Sequence, residues 1–368
     1  MIRSSVPRRV AFVLLVLMAV AATAEGFARL GGSLLFPARR ALEALPGEAV
    51  PGEPNMVVDA VTGWRPRTGP QQSFGIPGGT TVNSRGLRGP EFAIPKPRGE
   101  RRVLLVGDSS VFGVMVRDAE IFPRLLQDHL QAIDPDIRVL DGAAPGWSSY
   151  QARRALEERL LVYEPDLLVI ATLWSDTQVG ELADAVRFRP LVPFLVESNA
   201  YLLVREWVNQ LQYGDATEEV RVALLPPDRA AGGPPGGPGE ASDHRAQAGP
   251  RRAPPVWTTL RVPLPDYKVN LARMSELVRA QGGDVAFLVL PCNRDPHTGK
   301  VGDFRDEYRA AMRQTASALG SPLADTPMAF IDEAPSVFYD EVHPTPRDHA
   351  IIADVLTTAL RPWAEAGR

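Results

Sequence analysis

The chain has 368 residues, of which 45% are hydrophobic and 23% charged, and these values are typical of a globular protein. The formal net charge is −4, with 40 basic and 44 acidic residues mixed along the chain, so a nucleic-acid partner is not expected. The single cysteine, Cys292, excludes an internal disulfide and a cysteine-based metal site.

The N-terminus carries an apolar run from Val10 to Ala24, preceded by three arginines within the first nine residues. A run of this length is typical of a signal-peptide core, and Ala22-Thr23-Ala24 fits a cleavage site. An uncleaved anchor is the competing interpretation, so we expect residues 1–34 to be a signal peptide or a membrane anchor. Since the arginines favour the cytoplasmic side, the rest of the chain is expected to be exported. It would be anchored in the inner membrane facing the periplasm, or secreted after cleavage.

Proline and glycine are frequent from residue 35 to residue 98. Regular helices are unfavourable in such a composition. This region is predicted to be an irregular lead-in with a few short strands, packed on the main domain.

From residue 99 to residue 365 apolar runs alternate with helical patterns, which predicts an α/β fold with a mostly parallel sheet. A Pro/Gly-rich stretch at residues 226–255 has almost no large apolar residue and is predicted to be a disordered insertion. The predicted strands are Val103–Val106, Ile137–Leu140, Leu167–Thr172 and Val285–Leu290. The predicted helices are Asp118–Ala132, Ser149–Tyr163, Asp266–Ala280, Phe304–Leu319 and Arg347–Leu360.

Polar residues follow the predicted strands, where an open parallel sheet binds its ligands. Ser109 comes directly after the first strand, and Asp340 and His343 lie three residues apart on a loop before the last helix. A serine hydroxyl needs a base to become a nucleophile, and that base is usually a histidine oriented by a carboxylate. Taken together, these residues predict a catalytic triad that requires neither a metal nor a cofactor. Alone, Gly107-Asp108-Ser109 is more often an ordinary turn or helix cap than a catalytic motif, and Asp340-x-x-His343 alone is a weaker signal still.

The remaining candidates are predicted to be structural. His349 and His129 lie within predicted helices, Cys292 follows a buried strand, and His244 and His297 lie in the insertion and a polar loop. Trp147 and Trp174 lie in loops near the predicted site, either lining it or packing beneath it.

The sequence resembles the SGNH, or GDSL-type, hydrolases of exported or membrane-tethered bacterial type. The matching blocks are Gly107-Asp108-Ser109, Gly146 in Ala144–Gln151, and Asp340-x-x-His343-Pro344; Asn83–Gly89 resembles the lead-in of tethered members. The resemblance implies a flavodoxin-like three-layer α/β/α sandwich, with the amides of Ser109 and Gly146 in an oxyanion hole. It also implies a small-molecule or carbohydrate ester as substrate.

One block departs from the family pattern. The family usually has an asparagine before the aspartate that follows the third strand, and its amide completes the oxyanion hole; here Ser175 takes that position. Three interpretations follow: an esterase of the cell envelope, an envelope polysaccharide O-acetyltransferase with the same triad, or a catalytically degenerate envelope scaffold. The sequence predicts the esterase, and it leaves three alternatives for Ser175: it is a weaker third donor, a neighbouring residue replaces it as donor, or the activity is low or lost.

Overall fold

A computed structural model describes residues 15–27, 47, 49–50, 53–73, 76–180, 184–187, 259–295, 305–330 and 338–367. The insertion predicted at residues 226–255 lies outside these ranges, as does most of the predicted N-terminal segment. The chain divides into two compact units, one formed by residues 1–60 and 190–215 and the other by residues 61–189 and 216–368.

In the first unit, helix α1 covers residues 15–27, and strands β1 (Ala49–Val50) and β2 (Glu53–Asp59) pair antiparallel. No helix within the described ranges is both long and apolar enough to cross a membrane. The membrane segment therefore stays a prediction from the sequence.

The second unit begins with three short strands in the region predicted to be an irregular lead-in. They are β3 (Gly63–Pro66), β4 (Gly69–Ser73) and β5 (Ile76–Val82), and β4 pairs antiparallel with β5. These are the few short strands expected in this region, and β4 and β5 are joined by backbone hydrogen bonds.

The strands that follow β5 are β6 (Arg101–Gly107), β7 (Ile137–Asp141), β8 (Leu167–Ala171), β9 (Val179–Gly180), β10 (Thr259–Leu260), β11 (Asp284–Val289) and β12 (Leu323–Asp325). Five of them form a parallel sheet at the centre of the second unit, in the order β12-β11-β8-β6-β7. Numbered along the chain and counted from the β7 edge, these strands have the order 2-1-3-4-5, which is the flavodoxin-like order. Val103–Val106 and Leu167–Ala171 are fully buried, as expected for central strands that are covered on both faces.

The helices of the second unit are α2 (Ser109–Phe112), α3 (Phe122–Gln131), α4 (Ser149–Ala155), α5 (Asp184–Arg187), α6 (Leu264–Ala280), α7 (Arg305–Leu319) and α8 (Pro346–Ala366). They connect the parallel strands and pack in two groups, α3 against α8, and α6 against both α4 and α7. This arrangement confirms the predicted parallel-sheet α/β fold. A π-helical turn (Leu156–Leu160) and a 3-10 turn (Leu161–Tyr163) extend α4, and a 3-10 turn (Thr326–Phe330) follows β12.

Three details differ from the sequence-based expectations. Helix α3 begins at Phe122 rather than Asp118, because Pro123 occupies its first turn, where proline is preferred. Helix α8 continues to Ala366, although it contains Pro362. The fifth strand, β12, was not predicted, because its three residues form no apolar run.

Candidate active site

Ser109 lies in the tight turn where β6 ends and α2 begins. Asp108 caps α2, because its carboxylate accepts a hydrogen bond from the Ser110 N–H at 3.0 Å. Gly107 leaves no room for a side chain, since a Cβ atom there would collide with Val111. The turn therefore presents Ser109, half-buried, at the carboxyl edge of the sheet.

The structure places the three residues of the predicted triad in one hydrogen-bonded row. The distance from Ser109 Oγ to His343 Nε2 is 2.7 Å, and the distance from His343 Nδ1 to Asp340 Oδ2 is 2.6 Å. An ionised carboxylate can only accept, so Nδ1 donates to it and Nε2 is left to accept the serine proton. This is the arrangement that a serine nucleophile with a histidine base requires.

Asp340 is held as an anion by its hydrogen bonds. Partial burial alone would raise the pKa of Asp340, but the hydrogen bond and charge of His343 and two backbone N–H donors outweigh it. These donors are the amides of Val342 and His343, at 2.8 and 2.9 Å from Asp340 Oδ1. The pKa of Asp340 therefore lies well below its usual range, and the carboxylate remains available to orient the imidazole.

The loop that carries Asp340 and His343 is tied to the nucleophile's own helix. Ser110 Oγ donates a hydrogen bond to the carbonyl of Val342 at 2.8 Å. An antiparallel bridge between Phe338 and Pro344 closes the loop at its base. The hydrogen bond from Ser110 to Val342 therefore joins the neighbour of the nucleophile to the neighbour of the base, and it holds Ser109 and His343 close together.

Gly146 lies in the loop after β7, which runs beside the nucleophile turn. The Ala144 N–H donates to the carbonyl of Gly107 at 3.2 Å, and Gly146 adopts a left-handed conformation with φ of 76°. Within the described residues, neither the Ser109 N–H nor the Gly146 N–H donates a hydrogen bond to another group. Both amides are therefore available to an incoming oxyanion.

Ser175 is buried in the loop after β8. Its backbone N–H donates to Asp108 Oδ2 at 3.3 Å, beside the N–H of Trp174 at 3.1 Å. Burial raises the pKa of Asp108, and these amides and the Ser110 N–H oppose that effect. Ser175 Oγ makes no hydrogen bond with any described group. The structure thus brings Ser175 to the nucleophile turn but shows no contact that makes it an oxyanion donor.

The other histidines of the described ranges have structural contacts. His349 is fully buried, stacks on Phe122, and accepts its backbone N–H at 3.1 Å. Burial lowers the pKa of His349 to about 3, so the ring is neutral. His129 Nδ1 lies 3.2 Å from Thr357 Oγ1 on α8. His244 and His297 lie outside the described residues.

Trp147 and Trp174 are buried, so they pack beneath the site rather than line it. Cys292 is buried as well. Burial raises the pKa of the Cys292 thiol, which disfavours its nucleophilic form. Arg305 and Arg309 cover the ring of Trp174, at 5.6 and 5.3 Å from its centroid. No group of three or more metal-binding side chains occurs within the described parts of the chain.

Sequence reasoning missed a buried arginine that fixes the far end of the nucleophile helix. Arg88 donates to the carbonyls of Phe112, Gly113 and Val116 at 2.5, 2.7 and 2.6 Å, and it forms an ion pair with Asp118. Its only sequence signal was its place in the lead-in block. Charged side chains are rarely buried without partners, and here the partners are backbone carbonyls that only the fold brings together.

No protein-family model matches the chain, and no curated protein matches it. Similar solved structures include an α/β hydrolase enzyme from the metagenome of Lake Arreo, Spain, with 15% identity and a TM-score of 0.44 over 70% of this chain and 94% of that chain. An acetylxylan esterase from Geobacillus stearothermophilus has 17% identity and a TM-score of 0.42 over 71% and 94%. A lipase/acylhydrolase from Enterococcus faecalis has 12% identity and a TM-score of 0.43 over 72% and 97%. All three TM-scores lie below 0.5, so these similarities establish neither a shared activity nor a shared substrate.

Proposed function

We propose that this chain is an SGNH-type ester hydrolase in which Ser109 is the nucleophile. The observation that carries the proposal is the row of two hydrogen bonds, 2.7 and 2.6 Å long, that joins Ser109 to His343 and His343 to Asp340. A hydrogen bond between a serine and a histidine would not by itself indicate a catalytic site. An ionised carboxylate on the second nitrogen sets the tautomer that a general base needs.

The first half of the reaction forms an acyl-enzyme. Ser109 Oγ attacks the acyl carbon of the ester while its proton passes to His343 Nε2, and Asp340 stabilises the resulting imidazolium. The carbonyl oxygen becomes an oxyanion, which accepts hydrogen bonds from the amides of Ser109 and Gly146. Collapse of this intermediate breaks the ester bond, and His343 returns the proton to the departing alkoxide.

The second half repeats these steps with water. Water attacks the acyl carbon, His343 takes its proton, and Ser109 leaves with that proton as the carboxylic acid is released. If a sugar hydroxyl replaces water, the same residues transfer the acyl group instead. The triad fits either acceptor, and we propose water because solvent reaches the half-buried Ser109 and hydrolysis needs no second substrate.

Hydrolysis of a chromogenic acetyl ester, measured with and without an oligosaccharide acceptor, tests this function. We expect release of acetate at the same rate in both conditions, and no acetylated oligosaccharide by mass spectrometry. Acetylated oligosaccharide as the main product would replace hydrolysis by transfer. Absence of both products from folded protein would contradict the enzymatic proposal and favour the envelope scaffold.

We further propose that the enzyme acts outside the cytoplasmic membrane. The support is the apolar run Val10–Ala24 behind the N-terminal arginines, together with α1, most of whose apolar side chains are exposed. A fusion of residues 1–60 to a reporter that is active only in the periplasm tests it. We expect the reporter to be active. An inactive reporter would show that the fusion stays in the cytoplasm, and it would overturn this part of the proposal.

A further inference from the structure

Gly146 is joined to its neighbours by two peptide groups, and each is held by a different side chain. The Pro145–Gly146 peptide contains the Gly146 N–H, which is the proposed oxyanion donor. The Gly146–Trp147 peptide contains the Gly146 carbonyl. A glycine with positive φ can rotate such peptides easily, so what restrains them determines where the N–H points.

The first peptide is held by Trp64, on strand β3. Its indole Nε1–H donates to the carbonyl oxygen of Pro145 at 2.9 Å. In a trans peptide the C=O and the N–H point in opposite directions. Because the Pro145 C=O is fixed towards Trp64, the Gly146 N–H must point away from it.

The second peptide is held by Arg261, which follows β10. Its Nη1 donates to the carbonyl oxygen of Gly146 at 2.8 Å. The guanidinium is itself fixed by an ion pair with Asp184 at 2.8 Å and by Gln151 Oε1 at 2.6 Å. A buried arginine whose guanidinium is hydrogen-bonded on several sides has few alternative positions. Arg261 therefore fixes the Gly146 carbonyl firmly.

Trp64 is also held by the loop that it restrains. Trp147 Nε1–H donates back to the Trp64 carbonyl at 2.8 Å. The six-membered ring of Trp64 lies so close to Gly146 that a Cβ atom there would be 3.3 Å from Cζ2. These contacts make the tryptophan and the glycine loop a single unit, although 82 positions separate Trp64 from Gly146 in the sequence.

We propose that Trp64 and Arg261 are positioning residues that keep the oxyanion hole formed before substrate binds, an inference that rests on the proposed function. Neither residue touches the reacting atoms. Each fixes one peptide of Gly146, so that no binding energy is needed to turn the N–H towards the oxyanion. Oxyanion donors are effective because they need no reorganisation during the reaction.

The test replaces Trp64 by phenylalanine, which keeps an aromatic ring but removes the Nε1–H donor. The matched control is Trp363→Phe, which also removes an indole donor. Trp363 lies on α8, and its Nε1–H donates to Asp284 Oδ2 at 3.2 Å. Both variants and the wild-type chain are assayed for hydrolysis of a chromogenic acetyl ester across pH. Melting curves set the assay temperature below all three transitions.

We expect Trp64→Phe to lower kcat by about 10- to 100-fold, which is less than the loss of a whole oxyanion donor. KM should change by less than about twofold, because the restraint acts on the transition state. The pH dependence of kcat/KM should match that of the wild-type chain, since the triad is untouched. Arg261→Lys, which keeps a positive charge beside Asp184, should lower kcat in the same way and leave the pH profile unchanged.

An active wild-type chain with equal kcat values for Trp64→Phe and Trp363→Phe would overturn the inference and leave the proposed function intact. A shifted pH profile in Trp64→Phe would also overturn it, because the substitution would then act through the triad. A folded wild-type chain that hydrolyses no ester would overturn the proposed function, and the inference with it. The wild-type assay alone thus separates the two failures.

Discussion

The two sides of Ser109 are built in different ways. On the proton-transfer side, His343 and Asp340 are three residues apart on one loop, and both side chains are partly exposed. On the oxyanion side, Gly146 and Ser175 come from separate loops and are held by residues far away in the sequence. The first side is complete in its hydrogen bonds, whereas the second has two free amides and a serine where an amide side chain was expected.

Two carboxylates near the site, Asp340 and Asp176, have pKa values shifted in opposite directions. Hydrogen bonds hold the pKa of Asp340 below its usual range despite partial burial. Burial raises the pKa of Asp176, in the loop after β8, to about 7, although the Ser149 N–H donates to it at 2.9 Å. One carboxylate is placed to carry charge beside a histidine, and the other to fix backbone in the interior. The proton-transfer side thus uses a carboxylate that stays charged, whereas the oxyanion side uses hydrogen bonds from Trp64 and Arg261 to the backbone on either side of Gly146.

The largest effect is expected where the charge is removed. Asp340→Asn should lower kcat by about 10⁴-fold, because the amide favours the wrong imidazole tautomer. Hydrolysis of a chromogenic ester measures this. The control is Asp354→Asn, whose side chain is 74% exposed on α8 and should leave the rate unchanged. A loss below about tenfold would mean that Asp340 does not orient the base.

A smaller effect is expected from changing the backbone on the oxyanion side. Gly146→Ala should lower kcat by about 100-fold, because the Cβ atom would press on Trp64 and displace the donor. Gly282→Ala is the matched control, with φ of 85° and nothing within 4 Å of its Cβ position. Both variants should lose about 1–2 kcal/mol of unfolding free energy, as expected of a left-handed alanine. Equal rates in the two variants would break the proposed role of Gly146.

Ser175→Ala is expected to lower kcat by less than about tenfold, since a full oxyanion donor is worth 100- to 1,000-fold. The reason is that Ser175 Oγ has no hydrogen bond with the described residues, and only the backbone N–H is engaged. Steady-state kinetics on the purified variant measures the change. A loss of 100-fold or more would show that the hydroxyl is a full donor and that the two sides are equally complete.

The last expected effect is on stability rather than on the rate. The pKa of Asp176 is raised to about 7 in the folded chain, so the folded state binds more protons than the unfolded state from about pH 4 to pH 7. Stability is therefore lost as pH rises through this window. Asp176→Asn should flatten this pH dependence, because it removes the carboxylate that titrates in this window. Urea unfolding at several pH values measures it.

The exposed Asp136 provides the control for the substitution itself, since Asp136→Asn should leave the urea midpoint at pH 7 unchanged. If the wild-type chain and Asp176→Asn showed parallel curves between pH 4 and pH 7, the carboxylate would not be buried as described. The contrast between the interior carboxylates and Asp340 would then fail.

The sequence predicted most of the proton-transfer side and little of what supports the oxyanion side. Ser109 follows an apolar strand, and Asp340 and His343 lie on one short loop, so local patterns were sufficient. Trp64 and Arg261 act on Gly146 from 82 and 115 positions away. No periodicity or motif links residues at such separations, and only the folded chain brings them together.

The same distinction applies to the fold. Strands β6 and β8 are continuous apolar runs that are buried on both faces, and they were predicted within one residue at the carboxyl end. Strand β12 has three residues, only one of them buried, and gave no signal. The start of α3 was misplaced because the polar residues before it continue a helical pattern, whereas Arg88 holds them as a loop through Val116 and Asp118.

The central claim is that Ser109 is an activated nucleophile, and covalent labelling with a fluorophosphonate tests it most directly. Intact-mass and peptide mass spectrometry should show one adduct, on Ser109, in the wild-type chain and none in Ser109→Ala. Ser317→Ala removes an exposed serine hydroxyl on α7 and should retain the adduct. Folded wild-type chain without an adduct on Ser109, or an adduct that persists in Ser109→Ala, would contradict the account.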